Sequence, residues 1–482
     1  MSRMRSKATP RLGGARRMGR AAVPLVVACV ILVGATWVTP QSLPQVRAAE
    51  PRRPDVVLIM TDDQRAGTLS HMPQLQRRVI RRGIRFRSAY APNSTCCPSR
   101  VSFYTGTYSH TNGVWGNGGL FGGFQAYDDS SNLATWLNGL GYRTGLFGKY
   151  LNGYRDLSIV PPGWDEWFGF SGGDGRTYYG FEASENGQPV DFPDDVYSTV
   201  ETYKRVVDFI RSTPESRPLF AVWTPVAPHR PFVSEERYAD ARIDISPWRP
   251  PNYNERDVSD KPKWVRRQDR LAGRDRKVID AERIAQYRTL LSVDDGVGRI
   301  VRALKREGRL RRTLLVFASD NGLMWGEHRL RKKAVPYDGA SKIPMIVRYD
   351  RLVRGPRRGS DVSSNVLNID VAPTVMDLVG ATPGSPVDGR SLRPLLGGSA
   401  PRVRTRFIIE HHQTQVPAYC GARTRNELFV RYSTGEEEYY RLDEDRWALH
   451  NLAGKGGWGS EVRKLRNYAR DRCDPAPPGF TW

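Results

Sequence analysis

The stretch Pro54-Asp55-Val56-Val57-Leu58-Ile59-Met60-Thr61-Asp62-Asp63-Gln64 decides the fold. Its apolar run is unbroken from Val56 to Met60, with none of the alternation of a half-wet strand, so it reads as a strand covered on both faces. Thr313-Leu314-Leu315-Val316-Phe317-Ala318 is a second such run and ends in Ser319-Asp320-Asn321-Gly322. Phe220-Ala221-Val222-Trp223-Thr224 is a third, and it leads to Pro228-His229-Arg230-Pro231. Buried strands of this kind belong to α/β sheets, where ligands bind beyond the carboxyl ends of the strands. Asp62 and Asp63 therefore stand where a metal site belongs, although an ordinary strand-end turn favours aspartate too and this stretch alone does not separate the two readings.

The second informative stretch is Asn93-Ser94-Thr95-Cys96-Cys97-Pro98-Ser99-Arg100-Val101-Ser102-Phe103-Tyr104-Thr105-Gly106. It reads as a loop-to-helix junction. A helix N-terminus offers unpaired N–H groups and a partial positive charge, which makes Cys96 a candidate nucleophile beside an oxyanion-binding Arg100 one turn on. The competing reading is a small buried thiol and an arginine on a solvated helix face.

The order Cys-x-Pro-x-Arg, followed by Phe103-Tyr104-Thr105-Gly106, resembles the signature of the sulfatase family, in which this cysteine is converted after translation to formylglycine, 3-oxoalanine. The resemblance runs from about residue 54 to the mid-450s. It implies an alkaline-phosphatase-like α/β fold: a large mixed central sheet with helices on both faces. Asp62, Asp63, Asp320 and Asn321 match the family's protein metal ligands, completed by the modified Cys96. Oxygen ligands from two strand ends suit a hard cation, Ca2+ or Mg2+, rather than zinc. Lys149 matches the sulfate-contacting lysine of a Gly-Lys block. Many members carry a histidine two residues later; here Leu151 takes that place, and Gly148-Lys149-Tyr150-Leu151-Asn152 resembles the glucosamine-6-sulfatase branch. His229 matches a family histidine, a proton donor for the leaving alkoxide. Counting back four residues from Tyr337, as the family's spacing requires, selects Lys333 over its neighbour Lys332. His110 and His328 are further pocket candidates, with a structural role as the alternative for His110.

Residues 1–20 carry seven basic residues and no acid, and Ala21 to Val38 is almost wholly apolar. Residues 1–49 thus read as an export signal cleaved after Ala48 or Ala49, giving a secreted or extracytoplasmic protein; a signal-anchor is the alternative, the apolar run of about 18 residues lying at the lower edge for a span. No stable membrane span is expected after cleavage. The chain carries 74 Lys+Arg against 51 Asp+Glu; eight of those basic residues fall in 1–49, so the remainder keeps 66 against 51, a net +15. Such a field attracts polyanions, yet no nucleic-acid motif is present and no nucleic-acid partner is expected. Of five cysteines, one lies in the signal and two in the motif, which leaves Cys420 and Cys473 as an expected disulfide in an exported protein.

Residues 233–275, rich in Arg, Pro and Asp, read as a surface excursion walling a binding site, and Ala281 to Arg306 as an amphipathic helix. Past about residue 400 the pattern changes to short alternating strands, Phe407-Ile408-Ile409 and Leu428-Phe429-Val430-Arg431-Tyr432. The expected domains are the signal 1–49, a catalytic domain 50–400 and a C-terminal α+β subdomain 401–482 with an antiparallel sheet. By its resemblance the chain is an exported hydrolase of sulfate esters. Its partners would be a sulfated small molecule or polysaccharide and, during maturation, a formylglycine-generating enzyme. A phosphonate or phosphodiester hydrolase using the same nucleophile and metal is one alternative; a non-catalytic polyanion-binding protein is another.

Overall fold

The computed structural model describes residues 52–172, 178–413 and 416–482. The export signal expected at 1–49 lies outside these residues.

Ten strands form one mixed sheet: β1 Asp55–Thr61, β2 Ile84–Tyr90, β3 Arg143–Gly148, β4 Glu166–Phe170, β5 Glu182–Glu185, β6 Gln188–Asp191, β7 Leu219–Thr224, β8 Thr313–Ser319, β9 Met345–Arg348 and β10 Ser360–Leu367. Their spatial order is β10-β2-β9-β8-β1-β7-β3-β4-β5-β6. β1 sits between β8 and β7 and is parallel to both, and β3 continues the parallel set beyond β7. The antiparallel contacts lie on either side, where β9 pairs with β8 and β2, and β5 with β4 and β6.

The unbroken apolar runs are explained by cores on both faces of the sheet. Val56, Leu58 and Met60 enter one cluster with Val101, Phe103 and Tyr104, while Val57 and Ile59 enter another with Phe209, Val297 and Ile300. Successive side chains of a strand point to opposite faces, so every position of β1 is buried. Helices Cys96–Thr105 and Val371–Val379 cover the first face; Ser198–Ser212 and Gly273–Arg306 cover the second.

The long helix begins at Gly273, eight residues before the Ala281 expected from its apolar stripe. Its start is capped by Asp275, whose carboxylate accepts the Ala272 N–H at 2.9 Å. The surface excursion expected over 233–275 therefore ends at 272.

A separate antiparallel sheet follows, from β11 Arg406–Gln413, β12 Val416–Thr424, β13 Glu427–Tyr432 and β14 Glu437–Arg441. Helix Gly459–Arg472 packs against it through Val462, Leu465 and Ala469. Cys420 on β12 and Cys473 just past that helix form a disulfide. Among the described residues no helix is long and apolar enough to cross a membrane.

Candidate active site

Parallel neighbours end at the same sheet edge, so the residues following them converge there. β1 runs into Asp62 and Asp63, β8 into Asp320 and Asn321, β3 into Lys149, and the turn after β7 into His229. Backbone bonds tie these ends together: Asp320 N–H donates to Thr61 O at 3.0 Å, Lys149 N–H to Thr224 O at 2.8 Å and Asp62 N–H to Ala227 O at 3.3 Å. Asp63 has φ of 64°, a left-handed conformation that aspartate tolerates better than most residues.

Cys96 opens helix Cys96–Thr105, all of whose residues are buried. Thr95 at the cap is extended, and Gly106 with φ of 73° closes the other end by donating to Ser102 O. The Cys96 thiol lies 3.6 Å from Asp62 Oδ1 and 2.7 Å from Lys333 Nζ. Lys333 is held there because its loop is bound to the segment before the helix: Ala334 N–H donates to Ser94 O at 2.9 Å, and Ser94 Oγ to Val335 O at 3.1 Å. Its ammonium also reaches Asp63 Oδ1 at 2.5 Å, and Lys149 Nζ reaches Asp62 Oδ2 at the same distance.

Arg100 has no exposure at all. Its Nε donates to Asp320 Oδ2 at 2.9 Å and its Nη1 to Lys149 O at 2.8 Å, while Nη2 stands 3.4 Å from Asp62 Oδ2. His229 donates from Nδ1–H to the Arg230 carbonyl at 2.6 Å, which turns Nε2 toward Asp63 Oδ2, 3.7 Å away. Nε2 is thus the nitrogen that can carry a proton on the site side.

The charges are interdependent. Burial works to raise the Asp62 carboxyl, but Lys149, His229, Arg100 and Lys333 hold it well below the usual carboxylate range. Asp320 is pushed up by burial and by the Asp62 charge. Burial opposes the charge on Lys333, and Asp63 and Cys96 more than compensate, leaving it well above an ordinary lysine. Burial and Asp62 raise the Cys96 thiol, so the unmodified thiol is no ready nucleophile at neutral pH.

Four groups each offer one ligand atom within 4.8 Å of one another: Asp62, Asp63, Cys96 and His229. Asp320 and Asn321 adjoin them, since Asp320 Oδ1 accepts the Asp63 N–H at 3.0 Å and Asn321 Nδ2 donates to Asp63 Oδ1 at 2.7 Å. Asn321 Oδ1 is buried with no hydrogen-bond partner among the described residues. An orphaned amide oxygen beside three buried carboxylates fits a hard divalent cation.

The other sequence candidates fall elsewhere. His110 pairs with the buried Glu410 of β11 at 2.8 Å. His328 bonds Glu255 at 2.5 Å and packs at a tilt against Tyr337, with ring centroids 4.3 Å apart. Lys332 is half-buried, and its carbonyl accepts the Met324 N–H at 3.1 Å. Cys97 is a free buried thiol accepting the Asn152 N–H at 3.0 Å, and burial pushes it up to about 11.

Sequence reasoning missed the support behind the Lys333 loop. Tyr337 donates its hydroxyl to Glu438 on β14 at 2.7 Å, and Tyr432 and Tyr440 donate to the same buried carboxylate at 2.6 and 2.5 Å. It also missed His411 of β11, buried 3.4 Å from the Thr95 hydroxyl and held neutral by burial, its titration pushed down to about 3. The one available signal was the dense Glu438-Tyr439-Tyr440 run, too acidic and aromatic for an ordinary surface strand.

Comparison with known proteins adds independent findings. The Sulfatase family profile matches residues 54–381, and the profile for the N-sulphoglucosamine sulphohydrolase C-terminal region matches 326–471. A Drosophila melanogaster protein named Extracellular sulfatase SULF-1 homolog is 34% identical over 401 residues, covering 80% of this chain but 35% of the relative, so the chain spans about a third of that protein's length. Human N-acetylglucosamine-6-sulfatase is 31% identical over 391 residues, covering 76% of this chain and 68% of the human one. Among solved structures, a protein in complex with its substrate D-glucosamine-2-N,6-O-disulfate superposes with a TM-score of 0.74 at 23% identity, over 88% of this chain and 98% of that one.

Proposed function

The chain belongs to the sulfatase family, and from that premise we propose that it is an exported sulfuric ester hydrolase, cleaving the sulfate ester of a sulfated sugar or aryl sulfate to alcohol and sulfate. The observation that carries this reading is the convergence of Cys96 with Lys333 at 2.7 Å and with the Asp62–Lys149 and Asp63–Lys333 ion pairs. Three cations, Arg100, Lys149 and Lys333, stand among three carboxylates, Asp62, Asp63 and Asp320. A bound divalent ion, Ca2+ or Mg2+, would make the centre net positive and draw charge from the sulfate oxygens. Asp62, Asp63, Asp320, Asn321 and the modified Cys96 would hold it. Conversion of Cys96 to formylglycine by a generating enzyme would supply, in the hydrated aldehyde, an oxygen nucleophile at the helix N-terminus.

The chain's own groups do the remainder. Lys149 and Lys333 place ammonium donors against the sulfate oxygens, fixed charges of the kind that stabilise a developing negative charge most. Arg100, enclosed by Asp62 and Asp320, orients those carboxylates and offsets their mutual repulsion. His229 delivers a proton from Nε2 to the departing alkoxide. The likeness to glucosamine-6-sulfatases in Gly148-Lys149-Tyr150-Leu151-Asn152, and the named activity of the human relative, favour a sulfated amino sugar. We further place the export signal at 1–49, the catalytic domain at 50–400 and the C-terminal subdomain at 401–482.

The test co-expresses the protein with a formylglycine-generating enzyme and weighs the peptide spanning Cys96. It should be lighter than the cysteine form, with Cys97 intact, and the purified protein should release sulfate from sulfated amino sugars or nitrophenyl sulfate. Turnover of bis-nitrophenyl phosphate far above every sulfate ester would instead identify a phosphodiester hydrolase. An aldehyde on Cys97 would overturn the assigned register.

A further inference from the structure

Two adjoining cavities, of about 270 and 670 Å³, share Arg65, Asp338, Lys342, Arg446 and Trp447 and form one trench. The loop 322–340 separates it from the active centre: Lys333 touches Cys96, whereas Met324, Asp338 and Gly339 line the trench. Eight cations line it: Arg85 and Arg87 on one wall, and Arg65, Arg283, Lys342, Arg423, Arg425 and Arg446. The acids among the lining residues are Glu327 and Asp338, and both are already paired, with Arg65 at 2.6 Å and with Arg423 at 2.7 Å. Arg283, Lys342, Arg425 and Arg446 have no carboxylate within ion-pair distance among the described residues. Arg85 and Arg87 are both paired with Asp361.

Several of the trench's cations pack on aromatic rings. Arg65 lies between the rings of Trp248 and Trp325, 4.9 and 4.4 Å from their centroids, and Arg283 covers Trp325 at 4.7 Å. Trp248 meets Trp447 edge-on at 6.3 Å, and Arg446 covers Trp447 at 4.7 Å. Guanidinium groups packed on rings keep their charge and are pre-organised, so little entropy is lost when an anion arrives. Arg425 and Arg446 are the exposed members without a carboxylate partner among the described residues. A volume typical of ligand pockets, of roughly 300–1,000 Å³, whose walls carry surplus positive charge, selects a polyanion with closely spaced oxyanions.

We propose that this trench is a second binding surface for a sulfated polysaccharide, holding a stretch of the polymer outside the catalytic pocket while another sulfate is cleaved. The proposal rests on the sulfatase reading for the identity of the polymer, since a sulfated chain long enough to reach both places would be substrate and ligand at once. The trench supplies affinity for the polymer and none for a small aryl sulfate, so it raises kcat/KM on long substrates alone.

The experiment measures binding of heparin, a sulfated polysaccharide, binding of single-stranded DNA, and turnover of nitrophenyl sulfate by the full enzyme. Two exposed trench charges are reversed together, Arg425→Glu and Arg446→Glu, with Lys342→Ala as a milder third variant. Lys464→Glu, on the exposed side of helix Gly459–Arg472, controls for diffuse charge. The double reversal should weaken heparin binding by about tenfold or more and flatten its salt dependence, because fewer counterions are released. Turnover of nitrophenyl sulfate should not change. Equal weakening by Lys464→Glu, unchanged heparin affinity in the trench variants, or a loss confined to single-stranded DNA binding would each overturn the proposal. Trench-dependent heparin binding by a protein that hydrolyses no sulfate ester would leave this surface standing and sink the assigned activity instead.

Discussion

Replacing Lys333 by alanine is the perturbation on which the arrangement of the site can be judged most sharply. Its ammonium is the cation nearest Cys96, 2.7 Å from the sulfur and 2.5 Å from Asp63 Oδ1. Asp63 and Cys96 hold it charged against burial. Removing one preorganised donor from a water-poor site costs about 2.7–4 kcal/mol of barrier, so kcat on an aryl sulfate should fall by roughly 10²–10³. The loss belongs in kcat, because the interaction strengthens as charge develops on the sulfate oxygens; a contact serving ground-state binding alone would raise KM and spare kcat. Lys332 gives the internal control. It is half-buried, its titration is lowered by burial, and what holds its position is its backbone carbonyl bound to Met324 N–H. Lys332→Ala should therefore leave kcat near the parent value. Both variants are assayed side by side on nitrophenyl sulfate, with thermal melting to confirm folding. If Lys332→Ala lost activity and Lys333→Ala kept it, the four-residue count from Tyr337 and the role built on it would both be wrong.

Asp62→Ala and Asp320→Ala should each abolish turnover and lower the bound divalent metal measured on the purified protein, and full activity after exhaustive chelation and gel filtration would contradict the metal assignment. Glu438→Gln leaves a weaker acceptor, and one unable to serve three tyrosine hydroxyls; at about 1.5–3 kcal/mol per bond to a charged group, its melting temperature should fall clearly, more than for Tyr337→Phe, and an unchanged melt would refute the network. The His110 imidazole, although opposed by burial, is raised above its ordinary value by the hydrogen bond and charge of Glu410. A raised histidine contributes stability that is complete below its unfolded value near 6.5 and is lost as pH rises through the folded one. The melting deficit of His110→Gln should accordingly be largest below about pH 6 and shrink toward alkaline pH; a deficit independent of pH would show that the ion pair adds nothing.

The strands and the acids that follow them were legible because each is a local pattern. Val56 to Met60 can be read as buried on both faces from its lack of alternation, and Asp62-Asp63 and Ser319-Asp320-Asn321 follow such runs directly. Convergence then comes from geometry, since parallel neighbours share an edge. The start of the long helix was not legible for the opposite reason. Gly273 to Asp280 has Val278 and Ile279 as its only apolar residues, and the partners that bury Ile279, among them Phe232 and Trp325, come from segments about 45 residues away in the sequence on either side.

The same distinction explains Arg100 and Glu438. An arginine one turn into a helix reads as an anion contact if one face of that helix meets solvent, yet every residue from Cys96 to Thr105 is buried, with sheet-end carboxylates on the arginine's side. Its charge is then committed to Asp62 and Asp320 before any substrate arrives, which argues for lysines as the groups that meet the sulfate: Lys149 and Lys333 keep 15% and 18% of their side-chain surface exposed, where Arg100 keeps none. Glu438 lies 101 residues beyond Tyr337, and the Glu438-Tyr439-Tyr440 run marks an unusual strand without naming Tyr337 as its partner. A carboxylate sequestered among three hydroxyls is costly to bury unless all three donate, so the antiparallel sheet and the Lys333 loop must be in register together. The C-terminal sheet therefore fixes the loop that carries the lysine nearest Cys96, and a truncation before β14 should remove catalysis as well as stability, although every residue assigned to the chemistry precedes it.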